Sequence, residues 1–221
     1  MRNGLGMLMM SVVILLACMK EEILAETSDL AAEQMTAANE NNENNARAIG
    51  TFSNFGDLNC EYMFSDTTHH IFVSSGYKTA NRPSHKGIDI ISNSSSYPIN
   101  GTAIMNIFGG NVIVSKSVTY DSSGQVVNDN NGAGNYVVVQ LNAKYSGTNN
   151  YIVVRYLHML KSPYWSVNQA ISKGDYVGLV GSTGDSTGPH LHMDINASGT
   201  SYTSLENSVN PILFFPNIAF E

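Results

Sequence analysis

The stretch Gly188-Pro189-His190-Leu191-His192-Met193-Asp194-Ile195 carries two histidines and an aspartate at alternating positions. In a strand, successive side chains point to opposite faces. His190, His192 and Asp194 therefore share one face, and Leu191, Met193 and Ile195 share an apolar one. Two strand steps separate the imidazoles by about 7 Å at the backbone, so both rings can converge on one small site. Such a pair can bind zinc or move protons near neutral pH. It can equally be two half-buried surface residues, and the short motif alone leaves both readings open.

The other histidines are His69, His70, His85 and His158. In Ser84-His85-Lys86-Gly87-Ile88-Asp89-Ile90, a straight strand would put His85 and Asp89 on one face but about 13 Å apart. Both cannot then lie about 2 Å from one zinc. Gly87 allows a bend that brings them together. In Tyr151-Ile152-Val153-Val154-Arg155-Tyr156-Leu157-His158-Met159, alternation puts Ile152, Val154, Tyr156 and His158 on one face. A His ending an apolar row reads first as a hydrogen-bonded core residue. Together the three segments offer Asp89, Asp194 and four His, enough for three N/O ligands, an open position for water and groups to move protons. The chain lacks an HExxH helix motif and a GK[ST] phosphate loop. A cysteine nucleophile would have to be Cys60, which has no CxxC or Cys-His context and reads as a buried thiol.

The segments that must position these residues read as β. Short runs rich in Val, Ile and Tyr at 71–75, 87–91, 103–107, 111–115, 135–141, 151–159, 176–181 and 190–196 are candidate strands. Breakers such as Asn93-Ser94-Ser95-Ser96, Gly109-Gly110 and Asp129-Asn130-Asn131-Gly132 separate them. The expectation is an all-β, mainly antiparallel sandwich or open barrel with little helix. Residues 205–221, with Pro211 and Pro216, read as a C-terminal strap that packs Ile212, Leu213 and Phe214 on the core.

The chain of 221 residues has a net charge of -7 and only 13% charged residues, so neither nucleic acid nor an anionic membrane surface is a favoured partner. Residues 7–17 form an almost wholly apolar run after Arg2, too short to span a bilayer but suited to a signal peptide. The run closes in Leu15-Leu16-Ala17-Cys18, which resembles a bacterial lipoprotein box; Leu16 departs from the small residue usual there. The expected organisation is a signal peptide at 1–17, a tether at 18–50 beginning with lipidated Cys18, and a folded domain at 51–221. The Asn- and Glu-rich stretch 39–45 cannot bury apolar surface and reads as disordered. With Cys18 lipidated or removed, Cys60 has no intrachain partner, and stability must come from the core.

The motifs, taken together, resemble the lysostaphin-type zinc endopeptidases, peptidoglycan hydrolases that cut peptide cross-bridges in bacterial walls. The likeness rests on Ser84-His85-Lys86-Gly87-Ile88-Asp89-Ile90, Tyr156-Leu157-His158-Met159 and Gly181-Ser182-Thr183-Gly184…Gly188-Pro189-His190-Leu191-His192, in that order. Val73-Ser74-Ser75-Gly76-Tyr77-Lys78, Gly134-Asn135-Tyr136-Val137-Val138 and Lys173-Gly174-Asp175 flank them; it covers about residues 72–196. The resemblance implies a duplicated hybrid motif fold with one zinc. It assigns His85, Asp89 and His192 as metal ligands and His158 and His190 as the catalytic pair. Lys78 stands where the family commonly has Arg. The loop after Asp89 and the insertion at 117–134 match no family consensus, and such loops shape the substrate groove.

With the leader and the lipoprotein-like box, the resemblance implies an exported envelope enzyme, lipid-anchored through Cys18, acting on stem or bridge peptides, with envelope regulators as further partners. Direct D-alanine to diaminopimelate links are the expected target and a glycine bridge the alternative. Two other readings are a catalytically silent scaffold of the same fold that binds or activates another wall hydrolase, and a latent enzyme in which part of the segment 26–62 occupies the groove.

Overall fold

The computed structural model describes residues 50–52, 63–64, 71–199, 202 and 206–215. The apolar runs form strands β1 (Gly50–Phe52), β2 (Ile71–Ser75), β3 (Gly87–Ser92), β4 (Ala103–Met105) and β5 (Gly110–Lys116). There follow β6 (Thr119–Tyr120), β7 (Val126–Asn128), β8 (Asn135–Tyr145) and β9 (Tyr151–Met159). The chain continues through β10 (Ala170–Ile171), β11 (Tyr176–Leu179), β12 (Leu191–Asn196) and β13 (Ser208–Val209) to a 3-10 helix at Pro211–Phe214.

The main sheet runs β10-β5-β8-β9-β12-β3-β2, with β1 parallel on β8 and β13 on β12. Its other pairings are antiparallel. A two-stranded ribbon of β11 and β4 forms a second layer, joined to the main sheet by bridges Met159↔Val180 and Gly181↔His190. The expected mainly antiparallel all-β architecture is what the chain adopts.

β-branched side chains fit the half-buried face of a pleated sheet, which is why these runs become strands. Ile88, Ile90, Ile152, Val154, Tyr156, Leu191, Met193 and Ile195 are fully buried in one core with Ile104 and Val177 of the ribbon. Burying each large apolar side chain contributes roughly 1.5–3 kcal/mol, so this face anchors the sheet and leaves the other free for polar groups.

The insertion at 117–134 contains the β6–β7 hairpin, whose turn is closed by Asp121 accepting from the backbone N–H groups of Ser123 and Gln125 at 2.8 and 2.9 Å. The C-terminal expectation is corrected in detail. Phe214 and Phe215 are buried, whereas Ile212 and Leu213 are 37% and 52% exposed. The Asn210 side chain caps the 3-10 helix by accepting from the Ile212 N–H, and that single turn points Pro211 and Phe214 inward. The expected leader, Cys18, the tether up to residue 49, Cys60, His69 and His70 lie outside the described residues.

Candidate functional site

The register of three central strands builds the site. Along one row, His192 of β12 stands opposite Asp89 of β3 and Leu157 of β9. In the next row Asp194 stands opposite Gly87 and Arg155. Residues directly opposite across antiparallel strands share a face and lie close enough for their side chains to interact. The alternate residues Ile88, Met193 and Tyr156 face the core.

His85 precedes β3 and turns back onto it. Its Nε2 lies 3.1 Å from Asp89 Oδ1 and 3.2 Å from His192 Nδ1, and His192 Nδ1 lies 2.8 Å from Asp89 Oδ1. Gly87 is needed for close approach. A Cβ there would stand 2.3 Å from the Met193 carbonyl oxygen and 2.9 Å from His192 Nε2. Only a residue without a side chain leaves His192 room to lie over β3.

This trio fits a zinc ion. Donors on a tetrahedron with 2.0–2.1 Å bonds to nitrogen and oxygen stand about 3.3 Å apart, close to the three distances here. The outer nitrogens are engaged: His85 Nδ1 donates to the Gly76 carbonyl at 2.8 Å, and His192 Nε2 donates to Asp194 Oδ2 at 3.2 Å. The inner nitrogens are thereby turned toward Asp89. Burial pushes the Asp89 carboxyl up, but its close contacts with His192, His85 and Arg82 outweigh it and hold the group well below the usual carboxylate range. Burial opposes the charged form of His192, but hydrogen bonds to Asp194 and Asp89 outweigh it and raise its pKa.

His158 and His190 face the same centre. His190 Nδ1 donates to the Gly188 carbonyl at 2.8 Å, and its Nε2 lies 3.8 Å from Asp89 Oδ1. His158 Nδ1 donates to the Thr183 carbonyl at 2.8 Å, and the two rings are 4.7 Å apart between centroids. Strict alternation put His158 on the core face with Tyr156, and the structure corrects this. Between the pairs Asn135↔Met159 and Val137↔Tyr156, β9 holds two residues where β8 holds one. His158 has φ 58° at this bulge. A bulge re-aims a side chain, and here it delivers His158 to the cleft instead of the core. Burial pushes His158 down to about 4, partly offset by the Thr183 carbonyl, so the ring is neutral near pH 7.

Two clefts meet at the trio. One, of about 710 Å³, is lined by Lys86, Asn131, Tyr136, His158, Asp185 and Tyr202 among others. The other, of about 450 Å³, is lined by Ser74, Ser75, Ser92, Thr187 and His190 among others. Spacing alone missed two polar contributors. Arg82 Nη1 donates to Asp89 Oδ2 at 2.6 Å and to Ser75 Oγ at 2.7 Å. Arg155 Nε lies 2.9 Å from both oxygens of the buried Asp194. Asp194 was legible as a member of the His face, but Arg155 is 39 residues away in sequence and only the register joins them.

The family model for peptidase family M23 matches residues 83–204, and the chain belongs to that family. It is 34% identical over 125 residues to the peptidoglycan DD-endopeptidase ShyA of Vibrio cholerae, a match covering 57% of this chain and 23% of that protein. An uncharacterized metalloprotease of Buchnera aphidicola is 33% identical over 111 residues, 50% of this chain and 23% of that one. The match thus spans about a quarter of the length of these relatives. In fold, the chain resembles lysostaphin from Staphylococcus simulans at TM-score 0.50 and 22% identity, over 71% of this chain and 54% of that one. A chain of the SpoIIIAH and SpoIIQ complex also aligns at TM-score 0.50, with 15% identity over 71% of this chain and 99% of that one.

Proposed function

We propose that this protein is a zinc-dependent endopeptidase that hydrolyses the peptide cross-links of bacterial peptidoglycan. His85, Asp89 and His192 hold one zinc, and His158 and His190 are the catalytic residues. The observation that carries this reading is the closure of the His85–Asp89–His192 donor triangle at 2.8–3.2 Å with two further imidazoles beside it. ShyA, the relative named as a peptidoglycan DD-endopeptidase, supports the choice of substrate.

Zinc at this trio supplies a Lewis acid that brings the pKa of water toward neutrality and polarises a peptide carbonyl. The remaining work falls to the chain's own groups. Backbone carbonyls hold the Nδ1–H of His158 and of His190, so each ring offers its Nε2 to the cleft. One neutral Nε2 accepts the proton released by the attacking water and returns it to the leaving amine. The other, carrying a proton, donates to the oxygen on which negative charge develops. Arg82 holds the second oxygen of Asp89 and leaves the first turned inward. The two clefts on either side of the trio give an extended peptide room to run across it.

The proposal extends to location. A signal peptide at 1–17 and a lipid on Cys18 would tether the domain at 51–221 to an envelope membrane, within reach of the wall. D-alanine to diaminopimelate links are the target named by this reading. A silent scaffold is the weaker reading, because all five site positions are filled.

The test is digestion of purified walls by the full chain, with chelator and then with zinc restored. Cleavage that stops with the chelator and returns with zinc supports the proposal. Cleavage indifferent to the chelator, or none from zinc-loaded protein, overturns it.

A further inference from the structure

We infer that Asp194 and Arg155 are positioning residues that set how His192 presents itself to the metal. The inference rests on the metal site proposed above and adds two residues to it. An imidazole can bind a metal through either nitrogen, and the hydrogen bond made by the other nitrogen decides which. Here Asp194 Oδ2 takes the Nε2–H of His192, which leaves Nδ1 for the trio.

Asp194 is 2% exposed, and a lone carboxylate would not stay ionised there. Arg155 supplies the compensation. Its Nε contacts both carboxylate oxygens at 2.9 Å, and its Nη2 makes a further short contact to Oδ2. The two residues are directly opposite across β9 and β12, so sheet register fixes the pair. On the other flank, the opposing position is Gly87, where any Cβ would press within 2.8 Å of Asp194 Cβ and 2.9 Å of His192 Nε2. The carboxylate is therefore bounded by Arg155 on one strand and by an empty position on the other. The Arg155 guanidinium also lies 5.9 Å from the Tyr202 ring, in the wall of the larger cleft.

Two variants separate this role from that of a purely structural ion pair. Asp194→Asn keeps the shape but offers an amide that can turn its NH2 to Nε2 and favour the wrong tautomer, with Nδ1 protonated. It also leaves the Arg155 charge unpaired, which lowers stability by itself. The double variant Asp194→Asn/Arg155→Met removes that charge. Zinc dissociation constants are measured by chelator competition, cobalt(II) absorption reports the ligand set, and thermal melting of the metal-free proteins reports the fold. The inference expects zinc binding weakened roughly 10- to 100-fold in both variants, with an altered cobalt spectrum. It expects the double variant to recover melting temperature without recovering affinity. Wild-type affinity and spectrum in folded Asp194→Asn, or affinity that returns with stability in the double variant, would overturn it. Absence of zinc binding in the wild type would instead overturn the metal site.

Discussion

His190 and His192 lie two residues apart yet turn different ring nitrogens to the site: His192 meets Asp89 through Nδ1 at 2.8 Å, and His190 faces it through Nε2 at 3.8 Å. The difference lies in what holds the opposite nitrogen, a carboxylate for His192 and a backbone carbonyl for His190. A tetrahedral centre with three protein ligands and an open position has no room for both rings. The two substitutions should therefore separate. His192→Ala loses zinc and activity together. His190→Ala and His158→Ala keep near-stoichiometric zinc but lose cleavage by roughly 100-fold or more. Metal analysis and wall cleavage on samples of matched circular dichroism check this. Zinc lost from His190→Ala and kept by His192→Ala would reverse the roles.

Gly87→Ala should damage the site through backbone contact alone. The added methyl meets the Met193 carbonyl at 2.3 Å, so β3 and β12 must separate or His192 must move. Overpacking of this kind costs about 1–3 kcal/mol. Thermal melting and zinc titration should both fall, and a variant with unchanged melting temperature and zinc affinity would contradict the packing argument.

A second glycine contact positions His158. Gly134 has φ 68°, and a Cβ there would stand 2.3 Å from the Thr183 carbonyl oxygen that accepts from His158 Nδ1. Gly134→Ala is expected to retain zinc while lowering cleavage at least several-fold, because the trio is untouched and the His158 anchor is displaced. Equal zinc content with unchanged cleavage would contradict it.

Much of this site is readable from residue order, and what is not has identifiable causes. Alternation along 190–195 correctly places His190, His192 and Asp194 together, because an edge-free central strand keeps its period. It misplaces His158, because a bulge adds one residue to β9 and no composition signal marks it. Gly87 was read as a bend; it proves to be a point of contact between strands, visible only once β3 and β12 are paired. Arg82 and Arg155 were invisible for the same reason, since their partners are set by the turn and by cross-strand register. In the C-terminal segment, one 3-10 turn exchanges Ile212 and Leu213 for Phe215 as core contacts alongside Phe214.

Lipidation makes its own prediction. The apolar run ending in Ala17-Cys18 implies a mature chain that starts at a diacylglyceryl-modified Cys18. Mass spectrometry of membrane-extracted protein should find that mass, and an unmodified N-terminus further downstream would refute the anchor.

The most direct measurement is muropeptide analysis by mass spectrometry after zinc-loaded full-length protein has acted on purified peptidoglycan. The account predicts that cross-linked dimers convert to monomers with the gain of one water per bond, and that His192→Ala leaves the dimers intact. Undiminished dimers in the presence of wild-type protein carrying one zinc per chain would contradict it.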